Sequence, residues 1–164
     1  MRFEKITYAE WSLAMKTFIP DIEEKDIKIS YDNIKLPQAS TTCAAGHDFF
    51  LPFEVHFVPE VEQLIPTGIR WVTEDSDPNV FMMICPRSSL GTKYGMELTN
   101  TIGIIDGDYY MAKNEGHIMA KISCKEPFIL KQNDKFMQGI IMPYWRCGSE
   151  ATNKRTGGFG STDT

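Results

Sequence analysis

Most of this chain reads as a succession of short β-prone runs, and that succession limits its fold more than any other feature. Proline, glycine, asparagine or aspartate separates one run from the next, and no helical period intervenes between residues 49 and 144. The runs are Ile27–Tyr31, Phe49–Phe57, Leu64–Val72, Val80–Cys85, Met96–Ile105, Gly116–Ser123, Phe128–Leu130 and Phe136–Tyr144. Many short strands without crossover helices predict an all-β jelly roll or barrel and argue against a parallel βαβ sheet.

The N-terminal segment carries the one helix that the sequence predicts, from Thr7 to Phe18. Thr7 and Glu10 are spaced as in a capping box, and the apolar residues that follow recur at helical intervals. Pro20 should end the helix, and residues 21–26 form an acidic connector. We therefore divide the chain into a helical N-terminal extension (1–26), a β domain (27–147) and a C-terminal arm (148–164). The arm is rich in serine, threonine and glycine, and we expect it to be flexible in the free protein.

Composition and charge exclude several classes of protein. A chain of 164 residues is about one domain long and can bury a substantial core. Its formal net charge of −5 argues against a surface that coats nucleic acid. The cysteines, at 43, 85, 124 and 147, form no CxxC pair, so we expect reduced thiols and no zinc site or disulfide framework. Charged residues among the first ten interrupt any signal peptide, and no apolar run reaches membrane-spanning length. We therefore expect a cytoplasmic protein that binds neither nucleic acid nor membrane.

The stretch from Asn100 to Tyr110 carries the densest chemistry of the chain. Asp106-Gly107 is a strong signal for a hairpin turn when β-prone residues flank it. The backbone at such a tip can read the edge of a flat heterocycle, Tyr109 can cover one side of the ring, and Asp106 can hold a water molecule. A surface hairpin with solvated aspartates would give the same pattern, so this stretch takes its meaning from the segments around it.

Two segments earlier in the chain carry matching chemistry, although each alone has an ordinary structural interpretation. Ala45–Phe50 places the carboxylate of Asp48 at the start of a strand. Pro86–Gly91 offers the guanidinium of Arg87 and two serine hydroxyls, which together suit an anionic oxygen.

Two later segments complete the set. Phe136–Ile141 is an apolar strand with one polar side chain, Gln138. Arg155–Thr162 combines a glycine pair with Phe159, which can stack on a flat ring, and with donors suited to phosphate.

Taken in order along the chain, these five segments resemble the five motifs of the homotrimeric dUTPases, and the resemblance spans Ala45 to Thr162. It implies a distorted jelly roll that assembles as a homotrimer, with each active site drawn from three subunits. It also implies hydrolysis of dUTP to dUMP and diphosphate by attack of water at the α-phosphorus. That reaction removes dUTP from the nucleotide pool and supplies dUMP for thymidylate synthesis. The expected cofactor is Mg²⁺, held chiefly by the phosphates and by water.

The same resemblance implies roles for individual residues. Asp106 matches the general base that activates the attacking water, and Tyr109 matches the residue under the deoxyribose that excludes a 2′-hydroxyl. Asp48 is expected to hold Mg²⁺ through a water molecule. The residues expected at the nucleoside are Asn100, Gly103, Ile104, Ile105, Met119, Phe159 and Gly160. The residues expected at the phosphates are Arg87, Ser88, Ser89, Gln138, Arg155, Ser161 and Thr162, with Lys154 as a further candidate for the γ-phosphate.

Three features depart from the family pattern. Met111–Glu115 is an insert at a point where many members continue directly to glycine. The slot three positions before the glycine pair holds Lys154, with Arg155 beside it, so both are candidates for the γ-phosphate. Residues 1–26 lie outside the shared motifs, and we expect either an extra helix packed on the trimer or an element that binds a partner, with packing favoured.

Two other functions fit parts of the sequence. A dCTP deaminase shares the fold and a similar Pro-Arg-Ser-Ser segment, but Gly107-Asp108-Tyr109 fits a dUTPase better. A dUTPase-fold regulator that responds to nucleotide and binds a protein partner is the second alternative. The insert and the N-terminal extension leave that open as an added role, with the partner unknown.

Overall fold

The computed structural model describes residues 1–74 and 79–148, and it is built mainly from short strands. The strands are β1 (Arg2–Lys5), β2 (Gln38–Ala39), β3 (Gly46–Phe50), β4 (Val55–Phe57), β5 (Gln63–Pro66), β6 (Ile69–Val72), β7 (Val80–Pro86), β8 (Glu97–Leu98), β9 (Gly103–Asp106), β10 (Met119–Ser123), β11 (Phe128–Leu130) and β12 (Lys135–Pro143). The helices are α1 (Tyr8–Phe18), α2 (Glu24–Asp32) and α3 (Ser88–Tyr94), and Tyr109–Met111 forms a single 3-10 turn. Among the described helices, none is long and apolar enough to cross a membrane. The predicted all-β class with a short N-terminal helix is confirmed.

One large sheet positions most of the predicted motifs. It has five antiparallel strands in the order β2-β3-β12-β7-β9. A three-stranded sheet (β5-β10-β8) and the pairs β1-β6 and β11-β4 complete the strand pairing of the described residues, and no closed barrel forms there. Successive side chains on a strand face opposite ways. Met82 and Ile84 of β7 are therefore buried in the core, while Met83 and Cys85 are only partly buried on the other face.

The N-terminal extension is packed against the β domain. β1 pairs antiparallel with β6, with Arg2 opposite Val72. Trp11 and Met15 of α1 are buried within the main core cluster. The indole N–H of Trp11 donates to Ser30 Oγ of α2 over 3.1 Å. These contacts support the packing role that we favoured for residues 1–26.

The expected strand at Ile27–Tyr31 is a helix, so the prediction of a single helix was wrong. α2 begins with acidic residues in its first turn, and its buried residues are Ile27 and Ser30. Burial at positions i and i+3 is the helical period, whereas a strand would bury alternate residues. The helix also runs through the boundary that we expected between residues 26 and 27, and it replaces the end of the expected acidic connector.

The Asp106-Gly107 turn is not the tip of a two-stranded hairpin, which corrects a second expectation. β9 ends at Asp106 and pairs with β7, where Asp106 lies opposite Phe81. The chain then enters the 3-10 turn, and the next strand, β10, belongs to the three-stranded sheet. Three predicted runs are each divided into two strands, namely Phe49–Phe57, Leu64–Val72 and Met96–Ile105.

Candidate active site

Three of the predicted motifs meet at one end of the five-stranded sheet. Asp48 of β3 lies opposite Gln138 of β12, and Gln138 lies opposite Cys85 of β7. Arg87 follows β7 directly, and its Nε lies 3.7 Å from Asp48 Oδ1. Its backbone N–H donates to the carbonyl oxygen of Phe136 over 3.1 Å. We call Asp48, Arg87 and Gln138, together with Ser40 and Lys135, the polar cluster.

Asp48 is the electrostatic centre of the polar cluster. The residue is 8% exposed. Its Oδ2 accepts a hydrogen bond from Ser40 Oγ over 2.5 Å and lies 2.9 Å from Lys135 Nζ. Burial by itself raises the pKa of Asp48, but the hydrogen bonds from Ser40 and Lys135 and the charge of Arg87 outweigh burial and hold that pKa below its ordinary value. Asp48 is therefore an ionised carboxylate at neutral pH.

The first and fourth motifs fit together because Gly46 has no side chain. A Cβ at Gly46 would lie 2.6 Å from Gln138 Oε1. A side chain at position 46 would therefore displace the amide of Gln138 from its observed position. Ser88 and Ser89 are exposed on the first turn of α3, next to Arg87. Cationic groups, hydroxyls and an amide thus share one end of the sheet, which is a donor set suited to phosphate oxygens.

A second region gathers the residues expected at the nucleoside. A cavity of about 190 Å³ lies among β8, β9 and β10, and we call it the base cavity. Its lining is Ile84, Leu98, Thr99, Asn100, Gly103, Ile105, Met119, Ala120 and Lys121. Four of these were predicted from the sequence, namely Asn100, Gly103, Ile105 and Met119. Ile104, also predicted, is 50% exposed and does not line the cavity. Apolar walls with a few polar groups are typical of a small-molecule site.

A larger groove of about 670 Å³ runs between α1 and the strands β4 and β5. Among the described residues, Met119 alone both lines this groove and belongs to the predicted site. Four of the residues predicted at the nucleoside converge on the smaller base cavity.

Asp106 and Tyr109 lie on the short connection that leaves the base cavity. Asp106 is exposed at the end of β9, one residue beyond Ile105 in the cavity wall. Thr73 Oγ1 donates to the carbonyl oxygen of Gly107 over 2.6 Å and fixes the turn. Tyr109 is 7% exposed, and its hydroxyl donates to the carbonyl oxygen of His117 over 3.2 Å. The expected base is thus accessible to solvent, whereas the expected sugar-packing ring is held in place.

Asp106 and the polar cluster of the same chain lie far apart. Asp106 is opposite Phe81 of β7, and Arg87, which follows β7 directly, is six residues beyond Phe81. At the rise of an extended strand, that separation is about 20 Å. The distance exceeds the length of one triphosphate chain. A single chain therefore carries the predicted site residues in two separate groups, which we call half-sites.

Two members of the polar cluster, Ser40 and Lys135, were missed from the sequence. The register of β12 against β3 shifts between Lys135 and Met137. This bulge allows Lys135 and Gln138 to lie near the same carboxylate although they are three positions apart. In a regular strand, residues three positions apart face opposite sides of the sheet, so the sequence alone did not predict this arrangement. A lysine just before the fourth motif was the only available signal. The predicted residues Lys154, Arg155, Phe159, Gly160, Ser161 and Thr162 lie outside the described residues.

The fold of this β protein thus separates the residues predicted at a flat base from those predicted at phosphates. The sequence model of the dUTPase family matches residues 32–163. The chain therefore belongs to the dUTPase family.

Curated relatives and solved structures are similar over most of their length. The deoxyuridine 5′-triphosphate nucleotidohydrolase of Lactococcus lactis is 34% identical over 145 residues, which cover 84% of this chain and 95% of that protein. The Hahella chejuensis protein of the same name is 35% identical over 145 residues, with 81% and 90% covered. The crystal structure of the Streptococcus mutans dUTPase aligns with a TM-score of 0.66 at 27% identity and covers 91% of this chain and 100% of that one. A mutant dUTPase from phage phi11 of S. aureus, which coordinates a structural Mg(II) ion, aligns with a TM-score of 0.61 at 16% identity, covers 77% and 94%, and supports the fold alone. The expected dUTPase-type fold is confirmed.

Proposed function

We propose that this chain hydrolyses dUTP to dUMP and diphosphate, with the base cavity and a polar cluster holding the two ends of the nucleotide. The family match and relatives named deoxyuridine 5′-triphosphate nucleotidohydrolase make the chain a dUTP-hydrolysing enzyme. The observation that carries the residue assignment is the convergence of predicted residues into two places. Asp48, Arg87 and Gln138 share one end of a sheet, and Asn100, Gly103, Ile105 and Met119 share one cavity.

Asp106 is the general base in this proposal. Its exposed carboxylate follows the wall of the base cavity, so it can accept a proton from a water that attacks the α-phosphorus. Tyr109 packs under the deoxyribose. Because its ring is buried and its hydroxyl is engaged, the ring forms a rigid wall that leaves no room for a 2′-hydroxyl.

The polar cluster orients and neutralises the phosphates. Arg87 and Gln138, with the exposed hydroxyls of Ser88 and Ser89, donate to phosphate oxygens, whose negative charge increases on the leaving diphosphate. Arg155, Ser161 and Thr162 of the C-terminal arm add donors, with Lys154 or Arg155 at the γ-phosphate. Phe159 and Gly160 close over the base.

Asp48 fits a role as a ligand to Mg²⁺ through water. Its carboxylate is ionised, its Oδ2 is occupied by Ser40 and Lys135, and its Oδ1 lies 3.7 Å from Arg87. That distance is longer than a hydrogen bond, so Oδ1 has capacity to accept from a metal-bound water. Mg²⁺ bound to the triphosphate would neutralise phosphate charge.

The separation of the two half-sites supports a homotrimer with shared active sites. If Asp106 and Arg87 of one chain cannot reach the same triphosphate, a complete site needs the base cavity of one subunit and the polar cluster of another. Cyclic symmetry closes such a head-to-tail arrangement, and three copies fit the family pattern.

An apolar sheet face supports the same assembly. On the face away from the core, Met83 lies opposite Ile104 on one side and Ile140 on the other. Ile104 is 50% exposed and the nearby Met142 is 37% exposed. Contiguous apolar surface of this kind is typical of a subunit interface. We propose that a second copy covers it.

We also propose that the enzyme acts in the cytoplasm. Cys43, Cys85, Cys124 and Cys147 are all free thiols. Unpaired cysteines, two of them exposed at Cys43 and Cys147, are typical of a reducing compartment.

One assay tests the proposed function. The protein is incubated with Mg²⁺ and each of dUTP, dCTP, UTP and dTTP, and diphosphate and ammonia are measured separately. We expect diphosphate from dUTP with little from the other three nucleotides, and no ammonia. Ammonia released from dCTP would establish a deaminase instead. In ¹⁸O-labelled water the label should enter dUMP, because water attacks the α-phosphorus, and label in diphosphate would contradict the mechanism.

A further inference from the structure

We infer that Asn114 and Glu115 are positioning residues for Tyr109, and that through them α1 holds the ring that selects deoxyribose. The inference rests on the proposed role of Tyr109 at the sugar. It joins two features that the sequence left separate, the insert Met111–Glu115 and the N-terminal extension.

Asn114 contacts the functional end of Tyr109 directly. Its Nδ2 donates to the Tyr109 hydroxyl over 3.0 Å, and that hydroxyl in turn donates to the carbonyl oxygen of His117 over 3.2 Å. The Tyr109 hydroxyl thus accepts one hydrogen bond and donates another, which fixes its orientation. Asn114 Oδ1 accepts from the backbone N–H of Gly116 over 3.2 Å, so each end of the amide has its own partner.

The backbone of the insert reverses sharply to make these contacts. Glu115 and Gly116 both have left-handed backbone conformations, with φ of 58° and 74°. A Cβ at Gly116 would lie 2.4 Å from the Cα of Tyr110, so no other residue fits there without displacement. This reversal brings Gly116 back against the backbone of Tyr109 and Tyr110, where the 3-10 turn begins.

Glu115 fastens the insert to α1. Its Oε2 accepts from the backbone N–H of Thr7 over 2.8 Å, and its Oε1 accepts from Thr7 Oγ1 over 2.5 Å. Thr7 is the N-cap of α1, and its Oγ1 accepts from the N–H of Glu10. A carboxylate at a helix N-terminus is also stabilised by the partial positive charge there. The contact joins residues 108 positions apart in the sequence.

His117 closes the same connection from the other side. Its ring is fully buried, and its Nε2 accepts from the backbone N–H of Gly68, the residue before β6. The carbonyl oxygen of Gly68 in turn accepts from the N–H of Ile6. The His117 carbonyl that receives the Tyr109 hydroxyl is therefore fixed by the N-terminal extension and by β6 together. Tyr109 is held at two points, and both lead back to residues 6–7.

The test compares sugar discrimination with stability in Asn114→Ala, Asn114→Asp, Glu115→Ala and Thr7→Ala. Lys113→Ala is the matched control, because this exposed side chain lies in the same insert. Each protein is assayed for kcat/KM on dUTP and UTP, for affinity for slowly hydrolysed analogues of both nucleotides, and for Tm. Asn114→Asp keeps the acceptor for the Gly116 N–H but loses the donor to Tyr109, so it carries the test should Asn114→Ala fail to fold.

We expect the dUTP-to-UTP preference to fall about fivefold in the Asn114 variants, the scale of one lost neutral hydrogen bond. Glu115→Ala and Thr7→Ala should also lower the dUTP-to-UTP preference, and Lys113→Ala should leave that preference unchanged. In a Tyr109→Phe background the Asn114 substitutions should have no further effect on the preference, because the hydroxyl they contact is gone.

A preference that stays at the wild-type value in folded Asn114 and Glu115 variants would overturn the inference, even if Tm falls, because the contacts would then be structural only. Equal losses on dUTP and UTP would overturn it as well. A wild-type protein that binds the dUTP analogue selectively but releases no diphosphate would contradict the proposed activity instead. The affinity ratios of the analogues would still decide the role of Asn114.

Discussion

The sharpest consequence of the two half-sites concerns mixed assemblies of two inactive variants. Asp106→Asn removes the proposed base, and Arg87→Ala removes a phosphate donor about 20 Å away along β7. Each variant alone should be nearly inactive. Because the two residues of one chain would serve different sites, a mixed trimer should contain some sites in which both residues are intact.

The expected recovery follows from counting sites. When the variants associate at random from equal amounts, about 25% of sites combine an intact Asp106 with an intact Arg87 from the neighbouring subunit. Every mixed trimer has one such site out of three, whichever variant is in excess. If each site belonged to one chain, the recovery would be zero at every ratio.

The assay uses two affinity tags, one on each variant, so that only mixed trimers are purified after denaturation and refolding or after co-expression. We expect these trimers to release diphosphate from dUTP at about one third of the wild-type rate per trimer. Arg87→Ala mixed with Gln138→Ala is the control, because both residues belong to the polar cluster and no combination restores it. Inactive mixed trimers of the first pair would refute the shared site.

Further predictions follow from single positions. Asp106→Asn should lower kcat by about 10²–10⁴-fold with nearly unchanged affinity for a dUTP analogue, whereas wild-type turnover in this variant would make Asp106 structural; Asp108→Asn is the matched control. Tyr109→Ala should narrow the ratio of kcat/KM for dUTP to that for UTP, and an unchanged ratio would move sugar selection elsewhere. Truncation before Lys154 should lower kcat steeply while size-exclusion chromatography still shows a trimer, because the arm supplies phosphate donors; undiminished kcat would exclude that role. Burial lowers the pKa of His117 from 6.5 to about 3, so the unfolded chain binds a proton first and the stability present above pH 6.5 is lost as the pH falls toward 3. His117→Gln should flatten the decline of the free energy of unfolding, measured by urea denaturation, by up to about 1.4 kcal/mol per pH unit over that range, and parallel profiles would show that the imidazole is not responsible.

Most strands could be predicted from the sequence because the residues that end them are local signals. Proline and glycine interrupt pairing wherever they occur, so runs such as Phe128–Leu130 match the structure closely. Ile27–Tyr31 was misread because Ile-Lys-Ile alternates as a strand does, while the burial that selects a helix comes from Trp11 and the core. The Asp106-Gly107 turn was misread for a related reason. The dipeptide favours a reversal, and a hairpin would pair β9 with the strand that follows. In the structure β9 pairs with β7, which lies earlier in the chain.

In the candidate site too, residues within sequence motifs could be predicted, whereas residues brought in by strand pairing could not. Asp48, Arg87 and Gln138 could be proposed from their motifs, and the sheet register brings them together. Ser40 and Lys135 could not be proposed, because their approach to Asp48 depends on strand pairing and on a bulge. The contacts of Asn114 and Glu115 were equally hidden, since the insert resembled an ordinary polar loop until its partner Thr7 was placed beside it.

Strand β1 can pair with β6 only after β6 has been synthesised. Arg2 finds its partner Val72 only after 70 more residues have been added. At a synthesis rate of about 5–20 residues per second, that wait lasts about 4–14 seconds. During this interval α1 can form, yet Trp11 has no β domain to cover it. Strand β1 and Trp11 are therefore made several seconds before the parts of the β domain that pair with them and cover them.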